Sequence, residues 1–139
     1  MTDTTIPRPE AWRPAAYWTT TSIVVAEAGV GGLMDLLHQP PFVATMEHLG
    51  YPTYFATILG VAKLLAVPAL LAPGLPRLRE WAYAGIMINM LGAAASHVGA
   101  GDPPRNLVAP LAFAAITLAS WWLRPTLRHA RPPLRGAAR

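Results

Sequence analysis

Four long apolar segments constrain this chain more than any other feature of its sequence. They cover roughly residues 15–37, 51–72, 81–100 and 107–123. Each has about 17–23 residues, which at about 1.5 Å per residue spans a hydrocarbon core of roughly 30 Å. A soluble helical bundle would need polar stripes on its outer faces, and these segments hold only isolated polar residues. The sequence therefore predicts an all-α integral membrane protein, a bundle of four transmembrane helices.

The ends of the chain and one connection set the remaining boundaries. Residues 1–14 form a polar tail and residues 124–139 a basic tail rich in Arg and Pro, so we expect one ordered domain at 15–123. Within 41–49, Phe42, Val43 and Met46 recur at helical spacing, which predicts a short amphipathic helix on the outer surface. This helix acts either as a lid over the bundle or as a spacer against the membrane, and both interpretations stay open.

The basic residues predict the orientation of the bundle. Nine of them precede the first segment, separate the second from the third, or follow the fourth: Arg8, Arg13, Arg77, Arg79, Arg124, Arg128, Arg131, Arg135 and Arg139. The opposite side has only Arg105. The positive-inside rule therefore places both termini in the cytoplasm. Because these arginines flank apolar segments as membrane anchors do, the net charge of +4 indicates a lipid bilayer and excludes nucleic acid as the partner.

Three polar residues on three different segments share one predicted depth. Counting from the outer ends places Glu27 at roughly 15 Å, Lys63 at roughly 18 Å and Asn89 at roughly 17 Å. An ionisable residue in lipid is costly unless it has a partner or faces a cavity. We predict a Glu27–Lys63 pair with Asn89 hydrogen-bonding beside it. The layer is either a structural ion pair or a polar pocket capable of acid–base chemistry.

A second polar group lies nearer the outer surface. Asn89 and Ser96 are seven residues apart and share a helix face, so they predict a polar track that leads outward. His97 lies one residue off this helix face, and Asp35 is a candidate partner for it. The catalytic candidates are thus Glu27, Lys63 and His97, and the ligand-binding candidates are Asn89, Ser96 and Asp35. The spacing of Asp35, His38, His48 and His97 matches no strong metal motif, so we predict no metal site.

Several short blocks between residues 49 and 102 carry a family resemblance. They are LGYP at 49–52, ILGVAKLL at 58–65, PG at 73–74, RLREWAYAG at 77–85, GAAASH at 92–97 and GD at 101–102. Over roughly residues 17–123 the chain resembles the DoxX-like family of small bacterial membrane proteins. This resemblance implies a multi-pass protein of the bacterial inner membrane. Some relatives are tied to quinone-linked sulfur oxidation, and others look like accessory membrane subunits.

Two classes of function remain open. In the first, a lipophilic ligand such as a quinone or an isoprenoid-like molecule enters the bundle and meets Glu27, Lys63 and Asn89. In the second, the chain is a non-catalytic accessory subunit of a larger membrane redox complex, or it forms a homo-oligomer. Cysteine is absent, so the thiol–quinone chemistry of some similar proteins is not carried over. The sequence identifies no reaction and no cofactor.

Overall fold

The computed structural model describes residues 12–125, and this part of the chain is entirely helical, with no strand. The helices are α1 (Arg13–Leu36), α2 (Phe42–His48), α3 (Thr53–Leu71), α4 (Pro76–Gly99) and α5 (Arg105–Leu123). The predicted tails at 1–14 and 124–139 lie outside the described residues, apart from positions 12–14 and 124–125.

The four long helices pack side by side. α1 contacts α3 and α5, and α4 contacts the same two helices, so α1 and α4 lie diagonally opposite each other. Consecutive long helices run antiparallel, which gives the molecule an N/C end, carrying residues 12 and 125, and an α2 end. The core along the axis consists of Val24, Ala28, Ala66, Ala69, Leu70, Ala82, Tyr83, Ile86, Met90 and Ala114.

Two of the described helices, α3 and α5, are long and apolar enough to cross a membrane. The helices α1 and α4 are longer, with 24 residues each, but they carry more polar residues. In α1 these include the run Thr19 to Ser22, and in α4 they include the charges of the first two turns. Large apolar side chains are nevertheless exposed on all four long helices, α1 and α4 included.

The helix α4 begins at Pro76, five residues before the start predicted at residue 81. Proline suits the first turn of a helix, where its missing N–H group is not needed. The charged residues after Pro76 therefore lie on the helix, and Glu80 reaches α5, where it accepts a hydrogen bond from Trp121 Nε1 at 2.8 Å and pairs with Arg124. The prediction missed this turn because it followed apolar residues alone.

The helix α2 ends in a Schellman cap that directs the chain toward α3. Gly50 has a φ of +82°, its N–H donates to Glu47 O, and the N–H of Tyr51 donates to Met46 O. Tyr51 then stacks on Phe55 in the first turn of α3, with ring centroids 4.7 Å apart. This geometry holds α2 against the start of α3.

Candidate functional site

A buried group of charges joins α1 to α3. Lys63 Nζ donates a hydrogen bond to Glu27 Oε1 at 3.2 Å and lies 3.1 Å from Asp35 Oδ2. The three side chains are 12%, 14% and 1% exposed, respectively. The structure thus brings Glu27 and Lys63 together and adds Asp35, which the sequence analysis placed in a separate outer group. We call Glu27, Lys63 and Asp35 the Lys63 cluster.

Gly31 makes room for the ammonium group of Lys63. Glu27, Gly31 and Asp35 follow each other at intervals of four residues, so they lie along one face of α1. A Cβ atom at Gly31 would lie 3.0 Å from Glu27 Oε1 and 3.2 Å from Lys63 Nζ. The ammonium therefore lies over bare backbone, between the two acids. This spacing of acid, glycine and acid is the sequence signal that would have placed Asp35 correctly.

Close contact between helix backbones surrounds the Lys63 cluster. A Cβ atom at Gly60 would lie 2.6 Å from Leu36 N and 2.7 Å from Gly32 O. This contact between Gly60 and Gly32 brings the backbones of α1 and α3 together. In contrast, a Cβ atom at Gly85 or Gly92 of α4 would have nothing within 4 Å.

On the side of α3 opposite the contact with α1, a groove separates α3 from α4. It consists of two adjoining cavities of about 290 Å³ each, which share Leu59, Gly85 and Asn89. The cavity nearer the N/C end is also lined by Ala62, Lys63, Leu65, Ala66, Ala69, Leu78, Trp81, Ala82 and Ile86. The cavity nearer the α2 end is also lined by Met46, Leu49, Tyr51, Phe55, Ile88, Gly92, Ala93 and Ser96. We call the two together the α3–α4 groove.

Asn89 lies where the two cavities meet. Its side-chain amide forms no hydrogen bond with any residue between 12 and 125, so the prediction that it bonds to the Glu27–Lys63 pair is wrong. The reason is the position of α3 between its neighbours. The ammonium of Lys63 reaches across to α1, whereas Asn89 faces the groove between α3 and α4. Lys63 nevertheless lines that groove beside Asn89.

Ser96 lies at the α2 end of the groove, on the same side of α4 as Asn89. Its hydroxyl donates to Gly92 O at 2.8 Å and lies 2.7 Å from the hydroxyl of Tyr51. Because Ser96 has only one hydroxyl hydrogen, Tyr51 donates to Ser96. The predicted polar track therefore ends at a contact that fastens the chain after α2 to α4.

His97 does not contact Asp35, so the candidate pairing of these residues is wrong. His97 Nδ1 donates to Asp102 Oδ2 at 2.6 Å, and His48 Nε2 donates to Asp102 Oδ1 at 2.8 Å. These hydrogen bonds from His97 and then His48 lower the pKa of Asp102 from 3.8 to about 2. Asp35 belongs to α1, which lies diagonally opposite α4. We call His48, Asp102 and His97 the His–Asp clamp.

A second Schellman cap explains why Asp102 meets His97. Gly101 has a φ of +74°, which glycine adopts without a steric penalty. Its N–H donates to Val98 O, and the N–H of Asp102 donates to His97 O at 3.0 Å. This cap folds the chain back over the last turn of α4, so the Asp102 side chain returns to His97. The clamp then connects the end of α4 to the last residue of α2.

A model of the DoxX-like family matches residues 19–120, which is most of the chain and includes the Lys63 cluster, the α3–α4 groove and the His–Asp clamp. This chain belongs to the DoxX-like family. Membership agrees with the two described helices that are apolar enough to cross a membrane. No curated protein and no solved structure matches the sequence.

This DoxX-like protein also contains a buried hydroxyl cluster that the sequence analysis missed. Thr21 Oγ1 lies 2.7 Å from Ser120 Oγ, and Tyr83 OH lies 2.8 Å from the same atom. All three residues are buried, so the cluster connects α1, α4 and α5 near the N/C end. Counted from the observed helix starts at Arg13 and Pro76, Thr21 and Tyr83 lie at roughly 12 Å and 10 Å. The predicted start of the third segment at residue 81 concealed this match.

The three histidines between residues 12 and 125 of the DoxX-like protein are distributed among separate contacts. His38 Nε2 hydrogen-bonds to Thr57 Oγ1 at 2.9 Å, whereas His48 and His97 bind Asp102. Within residues 12–125, no group of three or more His, Cys, Asp or Glu side chains is placed to hold a metal ion. Of the predicted catalytic set, the structure therefore joins Glu27 and Lys63 and places His97 in a different cluster.

Proposed function

We propose that this DoxX-like protein crosses the bacterial inner membrane four times as a four-helix bundle, with both termini in the cytoplasm. The four long helices have 19 or 24 residues, about 28 or 36 Å, which suits a bilayer. Exposed tryptophans cluster near the N/C end, namely Trp12, Trp18, Trp81, Trp121 and Trp122. Aromatic rings prefer the headgroup region, and the flanking arginines favour the cytoplasmic side.

Within this bundle, the α3–α4 groove binds a lipophilic ligand whose polar group meets Asn89. The observation that carries the proposal is the amide of Asn89, which has no hydrogen bond to any described residue and lies between two largely apolar cavities. Neither lipid tails nor the apolar lining satisfies an amide, and leaving it unsatisfied is costly. A ligand that accepts or donates a hydrogen bond at this depth removes that cost.

The shape of the groove supports a long apolar molecule of the quinone or isoprenoid-like class. Along α4 the lining runs from Leu78 to Ser96, which corresponds to about 27 Å of helix. Lys63 lines the groove beside Asn89 and is the point at which the Lys63 cluster meets the ligand. Any acid–base chemistry therefore runs through Lys63 and Glu27, without His97.

Photolabelling with a diazirine derivative of a long-chain isoprenoid alcohol tests this proposal in native membranes. We expect the label on groove residues and a weaker signal in Asn89→Leu, which keeps the apolar surface but removes the amide. Losing one hydrogen bond of about 0.5–1.5 kcal/mol lowers the affinity by roughly 2- to 12-fold. Gly85→Leu, which fills the groove, should abolish labelling.

The matched control is Ala84→Leu. Ala84 is exposed on α4, next to Gly85, and lines neither cavity. The Ala84→Leu variant has a leucine on the same helix as Gly85→Leu, but outside the groove. Its labelling should therefore equal that of the wild type. Equal labelling of the wild type, Asn89→Leu and Gly85→Leu would contradict the proposal.

The open face of α4 supports a second function, that of an accessory subunit in a larger membrane complex. Gly85 and Gly92 leave space above α4, and Ile88 between them is 72% exposed. Small residues of this kind allow a partner helix to approach closely. A photo-reactive benzophenone amino acid at position 88 distinguishes the two functions. Crosslinking to lipid supports the ligand, and crosslinking to one polypeptide supports the accessory role.

A further inference from the structure

The Lys63 cluster contains one more acidic group than basic groups. Glu27 and Asp35 contribute two carboxylates, and Lys63 contributes the one ammonium within reach of both. The side chain of Lys63 is 12% exposed and that of Asp35 is 1% exposed. With all three groups ionised, the cluster has a net charge of −1 in surroundings of low dielectric. An uncompensated charge in such a place is strongly destabilising.

The deficit of positive charge is concentrated at Asp35. Neither of its carboxylate oxygens forms a hydrogen bond with any residue of the described range 12–125, although both are buried. Lys63 Nζ is close to Oδ2 at 3.1 Å, but its angle does not make a hydrogen bond. An ionised carboxylate can accept about four hydrogen bonds, so this side chain has unused acceptor capacity.

The backbone increases the negative potential at the same place. Asp35 is the penultimate residue of α1, at the end of the helix where the peptide dipoles place their negative pole. The tight contact of Gly60 with Leu36 and Gly32 keeps α3 against this turn. A carboxylate at a helix C-terminus is unfavourable, and this one is also excluded from solvent.

No other described basic side chain compensates for Asp35. On the connection to α2, His38 hydrogen-bonds to Thr57. His48 of α2 and His97 of α4 both bind Asp102, and Arg105 at the start of α5 is exposed. On α3, which packs directly against Asp35, the only basic residue is Lys63.

We propose that the Lys63 cluster is a binding site for one additional monovalent cation, either a proton or a sodium ion, held by Asp35. Both ions carry a single positive charge and bind to a carboxylate oxygen of Asp35. The bound charge makes the cluster neutral. Glu27 and Asp35 then share Lys63 without repelling each other across Gly31.

Infrared spectroscopy of the purified full-length protein in nanodiscs tests the proton. At neutral pH the wild type should show the C=O stretch of a neutral carboxylic acid that exchanges slowly with deuterium. Asp35→Asn removes the excess acid and should abolish this band. Glu27→Gln should abolish it too, because the remaining acid then has Lys63 to itself. Glu47→Gln, which removes an exposed carboxylate of α2, should leave it unchanged.

Thermal unfolding in sodium chloride and in choline chloride of equal ionic strength tests the sodium ion. If sodium fills the site, the wild type and Glu47→Gln should gain about 5 °C or more in Tm at saturating sodium. Asp35→Asn and Glu27→Gln should show no gain. If Asp35→Asn does not fold, the Glu27→Gln result decides in both experiments.

The proposal is supported if the wild type shows the infrared band or the sodium effect and the observed signal is lost in Asp35→Asn and Glu27→Gln. It is overturned by a wild type that shows neither signal. It is equally overturned by a signal that persists in both Asp35→Asn and Glu27→Gln, because the charge would then lie elsewhere.

Discussion

Glycine has opposite effects at the two interfaces of α3. Toward α1, Gly60 and Gly32 bring two backbones so close that an added Cβ atom would lie 2.6 Å from a backbone nitrogen. Toward α4, Gly85 and Gly92 have nothing within 4 Å of an added Cβ atom, and a groove results. Glycine therefore creates contact at one interface and space at the other.

The distribution of polar groups follows this difference. The tight interface holds the charges, because direct contact between ammonium and carboxylate offsets the cost of burying them. The open interface holds a neutral amide, Asn89, which a ligand is able to reach. The α1–α3 interface is therefore the tightly packed side of α3, and the α3–α4 interface is its open side.

Replacing Lys63 with methionine should have the largest effect on stability. Lys63→Met removes the ammonium that lies within reach of both Glu27 and Asp35, and losing one partner of a buried pair costs about 3–5 kcal/mol. Asn89→Leu on the opposite interface breaks no hydrogen bond to a described residue and should cost less than about 1 kcal/mol. Unfolding of the purified proteins in detergent measures both. Equal losses would show that the two interfaces do not differ in this way.

The Lys63 cluster also shows how far the sequence alone leads. Helices rise regularly, so counting residues was sufficient to bring Glu27 and Lys63 to one depth. The same count separated Asp35 from Glu27 by about 12 Å and assigned it to another group. It failed there because a lysine side chain is long and because Gly31 leaves a gap into which the ammonium fits. Such side-chain reach depends on packing that residue counts do not contain.

Replacing single glycines with alanine should change the stability by different amounts at the two interfaces. The difference should be smaller than that between Lys63→Met and Asn89→Leu. Gly60→Ala forces a methyl group against Leu36 N and Gly32 O, and overpacking of this kind costs about 1–3 kcal/mol. Gly85→Ala meets open space and should be neutral, or stabilising by up to about 1 kcal/mol through helix propensity. Thermal unfolding of the two variants side by side provides the measurement. A loss in Gly85→Ala as large as in Gly60→Ala would contradict an open groove.

The helix arrangement was less predictable than the helices themselves. Apolar length predicted four long helices, but which helix is diagonal to which depends on contacts between distant residues. Asp35, the candidate partner of His97, lies across the diagonal, whereas the actual partner Asp102 lies only five residues further along the chain. The Gly101 cap that returns Asp102 to His97 is visible in the sequence as a glycine after a helix, yet its consequence for side chains is not.

Of the changes considered, lowering the pH should reduce the stability by the smallest amount. It acts through the His–Asp clamp, on the open side of the molecule. The clamp connects α2 to the end of α4, and α2 residues such as Met46 line the groove. The pKa of Asp102 is lowered from 3.8 to about 2 in the folded protein, so the unfolded chain takes up the proton first as the pH falls. The contribution of Asp102 to stability is therefore complete above about pH 4 and is lost as the pH falls through about 2.

Denaturant unfolding of the wild type and Asp102→Asn between pH 6 and about pH 2 checks this expectation. The asparagine keeps the size of the side chain but has no acidic proton to titrate. The stability difference between the two proteins should be constant down to about pH 4 and should shrink steadily below it. Labelling of the groove at its α2 end should remain at the wild-type level down to the same pH. A difference that already disappears between pH 6 and 5 would show that the Asp102 carboxylate is not the group that holds α2 over the groove.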